Sequence, residues 1–240
     1  MSTILITGAS HGVGRAFALA CAASGRFSKM ILNGGHDRAA LEDTARRVSA
    51  AGVPVVIPDL GDVGDLAYVE SLRSRFGPAD TLVNNAAVSR VGLLTDMAPE
   101  EWDRVMRVNV TGLYNTCHTY VPDMVRAGGG RILNVSSVWG LAGASCEVAY
   151  SASKGAVNAF TKALAKELAP SHIRVNAIAL GIVDTRMNAQ LSEKETAEIR
   201  DQIPAGYIVS PEEAADAMLR LLDMPEYFNG EIVRFDGCWI

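Results

Sequence analysis

Apolar and polar positions follow two alternating patterns along the chain. Short apolar, β-branched runs recur seven times, and between them lie longer stretches with apolar residues at helical spacing. The short runs are Thr3–Thr7, Met30–Asn33, Val53–Pro58, Thr81–Asn84, Arg131–Val135, Ile173–Ile178 and Glu231–Phe235. The helical stretches are Gly14–Ser24, Ala39–Ala51, Leu66–Phe76, Glu100–Arg126, Tyr150–Leu168 and Pro211–Leu222. Because strands and helices alternate, the pattern predicts an α/β fold with a doubly wound, seven-stranded parallel sheet and helices on both faces.

Length and charge narrow the class further. The chain has 240 residues, of which 49% are hydrophobic, and this suits a single domain over residues 1–240. Segment Asn188–Gln202 interrupts the late strand–helix rhythm, so we expect a substrate-binding lid around residues 182–205. The formal charge of −5 comes from intermixed acids and bases without a basic run. A small-molecule partner is therefore expected, and neither nucleic acid nor a membrane surface.

Cysteines and apolar runs bear on compartment and metals. The four cysteines are widely spaced, and His118 and His172 have no partner at metal-ligand spacing, so no metal site is predicted. No apolar run approaches the roughly 18 residues of a membrane span. The N-terminal residues lack a basic stretch leading into an apolar segment. We expect a cytoplasmic protein.

A glycine-rich loop, Thr7–Gly14, directly follows the first predicted strand. Glycine permits a tight turn and lets backbone N–H groups approach a pyrophosphate at the positive end of the next helix. A methyltransferase or an ordinary strand-to-helix turn can show the same spacing, so the loop alone indicates only phosphate binding. The candidate cofactor-binding residues in it are Gly8, Ser10, His11, Gly12, Val13 and Gly14.

Two later strand ends extend this candidate nucleotide site. Asp59 and Leu60 follow the third strand, where a carboxylate can meet an adenine edge, although a helix-entry turn explains the aspartate equally well. Asn85, Ala86 and Ala87 follow the fourth strand, and small residues there let a nucleotide lie against the backbone.

The end of the second strand bears on whether a bound dinucleotide carries a 2′-phosphate. An acid at that point accepts the ribose hydroxyls and repels a phosphate. Here the strand ends at Asn33, and His11, Arg15 and Arg38 bring cationic or hydrogen-bonding groups nearby. We therefore expect NADP, with NAD as the alternative because Asp37 is also close.

A tyrosine and a lysine supply the candidate chemistry. Tyr150 and Lys154 are four residues apart in a helical stretch, so their side chains share one face. A phenol of ordinary pKa, about 10, is a poor base at neutral pH, but a neighbouring ammonium favours the phenolate. Ser136 and Ser137 follow a strand, where a hydroxyl can polarise a carbonyl. The alternative is a surface aromatic beside a solvated charge.

Taken in order, these motifs resemble the short-chain dehydrogenase/reductase superfamily. They are Thr7–Gly14, Asp59, Asn84–Ala86, Asn109, Ser137, Tyr150-x-x-x-Lys154, Ile173–Asn176 and the terminal Phe235–Gly237. The resemblance covers essentially the whole chain. It implies a Rossmann fold and hydride transfer between a nicotinamide and a ketone or secondary alcohol.

The resemblance also implies residue roles. Tyr150 would be the general acid in carbonyl reduction, or the base in oxidation, while Ser137 hydrogen-bonds the reacting oxygen. Lys154 would also hold the nicotinamide ribose, and Asn109 would position a water that links Lys154 to solvent. Residues implied on the nicotinamide side of the cofactor are Gly181, Ile182, Val183 and Thr185, in addition to Tyr150 and Lys154.

In chain length and in the residues of its motifs, the sequence is most similar to the 3-oxoacyl-(acyl carrier protein) reductase branch of the superfamily. A 3-oxoacyl thioester or a related ketone is therefore the expected substrate. Two alternatives remain open, namely an NAD-dependent alcohol or sugar dehydrogenase, which Asp37 favours, and a dinucleotide-binding sensor without turnover. Segments able to reach a substrate carry Ser89, Trp139, Leu141, Glu147, Met187 and Tyr207, each of which can equally be a core or interface residue.

Spare apolar surface favours association with further copies of the chain. The helical stretches Glu100–Arg126 and Tyr150–Leu168 carry apolar residues on more than one face. In the resembled superfamily the corresponding helices commonly pack between subunits. We expect a homotetramer or a homodimer.

Overall fold

A computed structural model describes residues 2–189 and 191–240. Seven parallel strands form one sheet in the order β3-β2-β1-β4-β5-β6-β7. The strands are β1 (Thr3–Ile6), β2 (Lys29–Gly34), β3 (Val55–Leu60), β4 (Thr81–Asn84), β5 (Gly130–Ser137), β6 (Ile173–Leu180) and β7 (Ile232–Phe235). The predicted α/β class, with its doubly wound seven-stranded parallel sheet, is confirmed.

The helices cover both faces of this sheet. They are α1 (Gly12–Ala23), α2 (Arg38–Ala50), α3 (Leu66–Phe76), α4 (Pro99–Met106), α5 (Gly112–Ala127), α6 (Trp139–Ala142), α7 (Val148–Leu168), α8 (Glu193–Gln202) and α9 (Pro211–Leu222). Along β1, Ile4 packs into the core under α1, α2 and α9, whereas Leu5 packs into the core under α3, α5 and α7. Successive side chains of a strand point to opposite faces of the sheet, and helices cover both faces. Every residue of β1 is therefore buried.

The predicted helix Glu100–Arg126 is interrupted. Residues Arg107–Thr111 form a π-helical turn between α4 and α5. Asn109 lies in this turn with its side chain hydrogen-bonded to the backbone of Val88, which follows β4. Helical periodicity in the sequence does not distinguish a π turn from an α turn, and π turns are frequent at functional sites.

Strand β5 extends further than predicted and includes both Ser136 and Ser137. The extension follows from pairing, because β6 continues to Leu180 and the register aligns Ser137 with Leu180. Ser137 is therefore held by a strand, near the carboxyl edge of the sheet.

Strand order locates the site. From β1 the chain builds the sheet outward through β2 and β3, and then returns to place β4 on the other side of β1. Ligands of open α/β sheets bind at such a switch point, outside the carboxyl ends of the strands. In the described residues, no helix has both the length and the apolarity to cross a membrane.

Candidate active site

A cleft of about 960 Å³ opens at this switch point. Most of the predicted cofactor-binding residues line it. These are Gly8, Ser10, His11, Gly12, Val13, Gly14, Asn85, Ala86, Ala87, Tyr150, Lys154, Gly181, Ile182, Val183 and Thr185. Ser137 lines it as well, so the sequence motifs converge on one cavity although they are spread over 178 positions.

The glycine loop is locked against the end of β4. The Thr7 hydroxyl accepts hydrogen bonds from the N–H groups of Asn85 and Ala86, each at 3.0 Å. Asn85 Nδ2 in turn donates to the carbonyl oxygens of Thr7 at 3.0 Å and Gly8 at 3.2 Å. Gly8 has a φ of +68°, and a Cβ on it would lie 2.9 Å from Ala86 Cα. Only glycine fits this approach without strain.

Asp59 and Leu60 correct the sequence prediction, because neither lines the cleft. The Asp59 carboxylate accepts two hydrogen bonds from the Arg75 guanidinium, at 2.6 and 3.0 Å, and a third from the Tyr68 hydroxyl at 2.8 Å. Asp59 therefore ties β3 to α3. Asp62 and Val63 line the cleft at this point instead.

Arg38 also departs from its predicted role. Its guanidinium is largely exposed and lies 3.8 Å from Glu42 on the same helix, outside the cleft lining. Arg15 is paired with Asp43 and likewise does not line the cleft. Of the three positive or hydrogen-bonding residues expected near a 2′-phosphate, only His11 faces the cavity.

Ser137, Tyr150 and Lys154 meet at the other end of the cleft. Lys154 is 3% exposed, and its Nζ donates to the Val135 carbonyl at 2.7 Å. The same ammonium lies 5.5 Å from the centre of the Tyr150 ring. The Ser137 hydroxyl accepts a hydrogen bond from the backbone N–H of Trp139 at 3.2 Å. A phenol, a hydroxyl and a buried ammonium thus surround one position where a carbonyl oxygen can bind.

Burial sets the protonation of this group. It lowers the pKa of Lys154 to about 8, since an ammonium is poorly solvated there. Burial, followed by the Glu147 carboxylate, raises the pKa of Tyr150, and a hydrogen bond from Ser137 acts in the opposite direction. At neutral pH Tyr150 is therefore a protonated phenol that can donate its proton.

Asn109 lies beneath this site rather than in the cleft. Its Oδ1 accepts from the Val88 N–H at 2.8 Å, and its Nδ2 donates to the Val88 carbonyl and the Ser153 hydroxyl at 2.9 and 3.0 Å. A small cavity of about 10 Å³ is lined by both Asn109 and Lys154. One water molecule needs roughly this volume.

The substrate side of the cleft is aromatic and acidic. The rings of Trp139 and Trp239 pack at a centroid distance of 4.9 Å, and both line the cleft together with Glu147. Burial raises the pKa of the Glu147 carboxyl. Ser89 and Met187 also line the cleft, whereas Leu141 and Tyr207 do not.

Sequence reasoning named neither Arg186 nor Trp239 among the cleft residues from the C-terminal part of the chain. Arg186 and Trp239 lie on segments without a strand or helix pattern, so no periodicity indicated their direction. Trp239 follows the recognised Phe235–Gly237 motif, which was the one signal that could have drawn attention to it.

The chain is similar to proteins of one family. The short chain dehydrogenase family matches residues 2–196. A 3-oxoacyl-(acyl-carrier-protein) reductase of Thermotoga maritima is 38% identical, with 97% of this chain and 95% of that protein covered.

Two solved structures share the fold over nearly their whole length. A 3-oxoacyl-(acyl-carrier protein) reductase from Brucella melitensis with bound NAD has 34% identity and a TM-score of 0.90, covering 100% of this chain and 91% of that one. A gluconate 5-dehydrogenase from Burkholderia cenocepacia in complex with NADP and tartrate has 28% identity and a TM-score of 0.91, covering 99% and 94%. This chain belongs to the short chain dehydrogenase family and is an oxidoreductase of that family.

Proposed function

We propose that the protein is an NADP(H)-dependent reductase that converts a 3-oxoacyl thioester or a related ketone into a secondary alcohol. The observation that carries the proposal is the convergence of Ser137, Tyr150 and Lys154 in one cleft with the Thr7–Gly14 loop. Similarity to 3-oxoacyl reductases supports the thioester class.

Two buried polar groups fit a dinucleotide. The Ser10 hydroxyl is buried at the glycine loop and has no hydrogen-bond partner among the residues that the structure describes. The Lys154 ammonium has three N–H donors, of which one binds Val135, so two remain for the vicinal hydroxyls of a ribose. Gly8, Gly12 and Gly14 would hold the pyrophosphate. When bound, the nicotinamide of the cofactor supplies the hydride.

The side chains of the chain itself handle the proton. Tyr150, protonated at neutral pH, donates its phenolic proton to the oxygen that gains negative charge during reduction. Ser137 donates a hydrogen bond to the same oxygen and holds the carbonyl against the phenol. A protonated phenol suits the reductive direction, since oxidation needs the phenolate as base.

The proton lost by Tyr150 has a route back. The small cavity between Asn109 and Lys154 suits one water molecule, which would connect the ammonium to the interior end of the cleft. Asn109, fixed by Val88 and Ser153, would position that water. This is the relay role that the sequence resemblance implies.

A second candidate is a dehydrogenase of polyols or sugars. Glu147 favours it, because a carboxylate beside Tyr150 can accept hydrogen bonds from substrate hydroxyls, and the Trp139–Trp239 pair offers flat apolar surface to a sugar ring. Asp37 favours NAD in this alternative, since it lines the ribose end of the cleft.

The change in absorbance at the nicotinamide band distinguishes these candidates, because absorbance falls when a ketone is reduced and rises when a polyol or sugar is oxidised. NADPH and NADH are each supplied with acetoacetyl thioester, and NAD and NADP with polyols and sugars. Faster reduction of the thioester with NADPH than with NADH supports the reductase. Turnover only of polyols with NAD supports the dehydrogenase, and cofactor binding without turnover on any substrate supports the sensor.

We also propose that the protein forms a homotetramer or homodimer in the cytoplasm. We further propose that the segment 182–205, of which residue 190 lies outside the described structure, is a substrate-binding lid. Exposed apolar side chains on α5 and α7, including Tyr114, Val125 and Val148, support the association. The four free cysteines suit a reducing compartment. Light scattering on the purified protein tests the association, and a monomer at micromolar concentration would contradict it.

A further inference from the structure

Three side chains from distant segments meet at the ribose end of the cleft. They are His11 from the glycine loop, Asp37 from the turn after β2, and Arg186 from the 3₁₀ turn Arg186–Asn188 after β6. His11 Nε2 lies 2.7 Å from Asp37 Oδ2 and 2.8 Å from Arg186 Nη1. The guanidinium lies 3.7 Å from the same carboxylate oxygen.

The short contacts of this cluster cannot all be hydrogen bonds at once. His11 Nε2 either donates to Asp37 or accepts from Arg186, and it cannot do both. When it donates to Asp37, Arg186 Nη1 keeps only the longer contact to His11 Nδ1, at 3.3 Å, and the ion pair with Asp37 at 3.7 Å. Two donor side chains therefore compete for one carboxylate, and a further anion would satisfy both.

Asp37 fixes the position at which such an anion would bind. Its Oδ1 accepts a hydrogen bond from the Ala40 N–H at 3.1 Å and caps α2, so the carboxylate is held at the end of β2. In Rossmann folds an acid at the end of this strand binds the ribose 2′-hydroxyl, and a nearby arginine accommodates a 2′-phosphate. Arg186 occupies that neighbourhood, whereas Arg15 and Arg38 are paired elsewhere.

The side chain of Thr185, next to Arg186 in sequence, already lies against the glycine loop. A Cβ on Gly12 would be 3.1 Å from the Thr185 methyl carbon, and Asn188 Nδ2 holds the turn by donating to the Val183 carbonyl at 2.8 Å. The Arg186 side chain itself is 73% exposed. It can exchange partners at small cost, because exposed ion pairs contribute little.

We propose that Arg186 is the residue that selects NADP(H) over NAD(H), by exchanging its contacts with His11 and Asp37 for an ion pair with the 2′-phosphate. His11 donates to the same phosphate from the glycine loop. This inference rests on the proposed function only in taking a dinucleotide to be bound, and it needs no particular ketone.

Calorimetry with 2′,5′-ADP and 5′-AMP tests this assignment without turnover, because the two ligands differ only in the 2′-phosphate. We expect Arg186→Ala to weaken 2′,5′-ADP by about tenfold, as for one hydrogen bond between charged groups at a partly exposed site. The affinity for 5′-AMP should change by less than about twofold, within the effect of exposed pairs. Arg220→Ala is the matched control, since it removes an exposed arginine from α9, paired with Asp216, and should affect neither ligand.

Asp37→Asn gives an independent arm. Asparagine caps a helix as well as aspartate does, so α2 should stay intact. Without the carboxylate of residue 37, Arg186 has no ion pair there, and the negative charge that repels the 2′-phosphate is gone. The variant should therefore bind 2′,5′-ADP at least about threefold more tightly than the wild type does. Circular dichroism and the melting temperature of each variant report whether the fold is retained.

Several results would overturn the assignment. One is an equal loss of affinity for both ligands in Arg186→Ala, and another is no loss of affinity for either. The third is a wild-type protein that does not bind 2′,5′-ADP more tightly than 5′-AMP. Failure of the proposed function looks different. A wild-type protein that prefers 2′,5′-ADP and loses the preference in Arg186→Ala, yet reduces no ketone, retains this assignment and loses the reductase activity.

Discussion

Replacing Lys154 by methionine should stabilise the fold while it removes activity. Lys154 is 3% exposed, and burial lowers its pKa from 10.5 to about 8. Each tenfold change in a proton-binding constant corresponds to about 1.4 kcal/mol, so the charged side chain costs the folded state about 3 kcal/mol at pH 7. Methionine keeps the length and apolar volume of the side chain without the charge.

The expected net gain is smaller than this cost. The hydrogen bond from Lys154 Nζ to the Val135 carbonyl is lost, which subtracts about 1 kcal/mol. Lys154→Met should therefore raise the free energy of unfolding by about 2 kcal/mol at pH 7. For a chain of this length that corresponds to a melting temperature higher by roughly 5 °C.

The pH dependence identifies the cause. Between pH 8 and 10.5 the unfolded chain binds more protons at Lys154 than the folded chain, so the free energy of unfolding of the wild type rises with pH. The advantage of the methionine variant should shrink by about 1.4 kcal/mol between pH 7 and pH 9. A pH-independent advantage would mean that the variant gains stability by packing and not by removing a charge.

Chemical denaturation at pH 7 and pH 9, at one protein concentration, measures both quantities. Lys162→Met is the matched control, because Lys162 is exposed on the same helix and its replacement should leave stability within about 0.5 kcal/mol. The reasoning is refuted if Lys154→Met is less stable than the wild type at pH 7 while Lys162→Met is unchanged.

Three further substitutions test the site. Tyr150→Phe should lower turnover by about 10² to 10⁴ and leave the dissociation constant of the cofactor nearly unchanged, as measured by fluorescence titration; retained turnover would exclude Tyr150 as the acid. Asp59→Asn should lower the free energy of unfolding by about 1 kcal/mol through its contact with Arg75, without changing cofactor affinity. A tenfold loss of affinity would restore the adenine role that the sequence predicted. Glu147→Gln should leave thioester reduction within about threefold and abolish any polyol oxidation, since an amide accepts hydrogen bonds less strongly than a carboxylate; equal losses in both reactions would show that Glu147 does not select substrate.

The fold was predictable because its signals are local. Every strand and the helices α3 and α9 follow from apolar runs and helical spacing, and Leu66–Phe76 and Pro211–Leu222 have the predicted bounds. The juxtaposition of Tyr150 and Lys154 was predictable for the same reason, because four residues along a helix fix one face. Burial of the lysine was not, since it depends on β5 packing beneath α7.

The errors concern side chains whose partners are distant in sequence. Asp59 stands at the expected strand end, but Arg75 on α3 binds its carboxylate, and a strand end does not show which way a side chain turns. Arg186 meets His11 across 175 positions, through a turn that has no periodic pattern. The sequence near the glycine loop favoured Arg15 and Arg38 as phosphate-binding residues instead. In the structure, Arg15 on α1 pairs with Asp43 and Arg38 on α2 pairs with Glu42.

The free-energy cost of burying the Lys154 ammonium indicates which ligand the site binds. A buried ammonium with one protein acceptor leaves two N–H donors unsatisfied, and vicinal hydroxyls of a ribose would supply both acceptors. Cofactor binding should consequently raise the melting temperature of the wild type more than that of Lys154→Met at one and the same cofactor concentration, because the variant binds the cofactor more weakly. Equal stabilisation would mean that Lys154 does not contact the cofactor, and its burial would then lack a binding partner that offsets the cost.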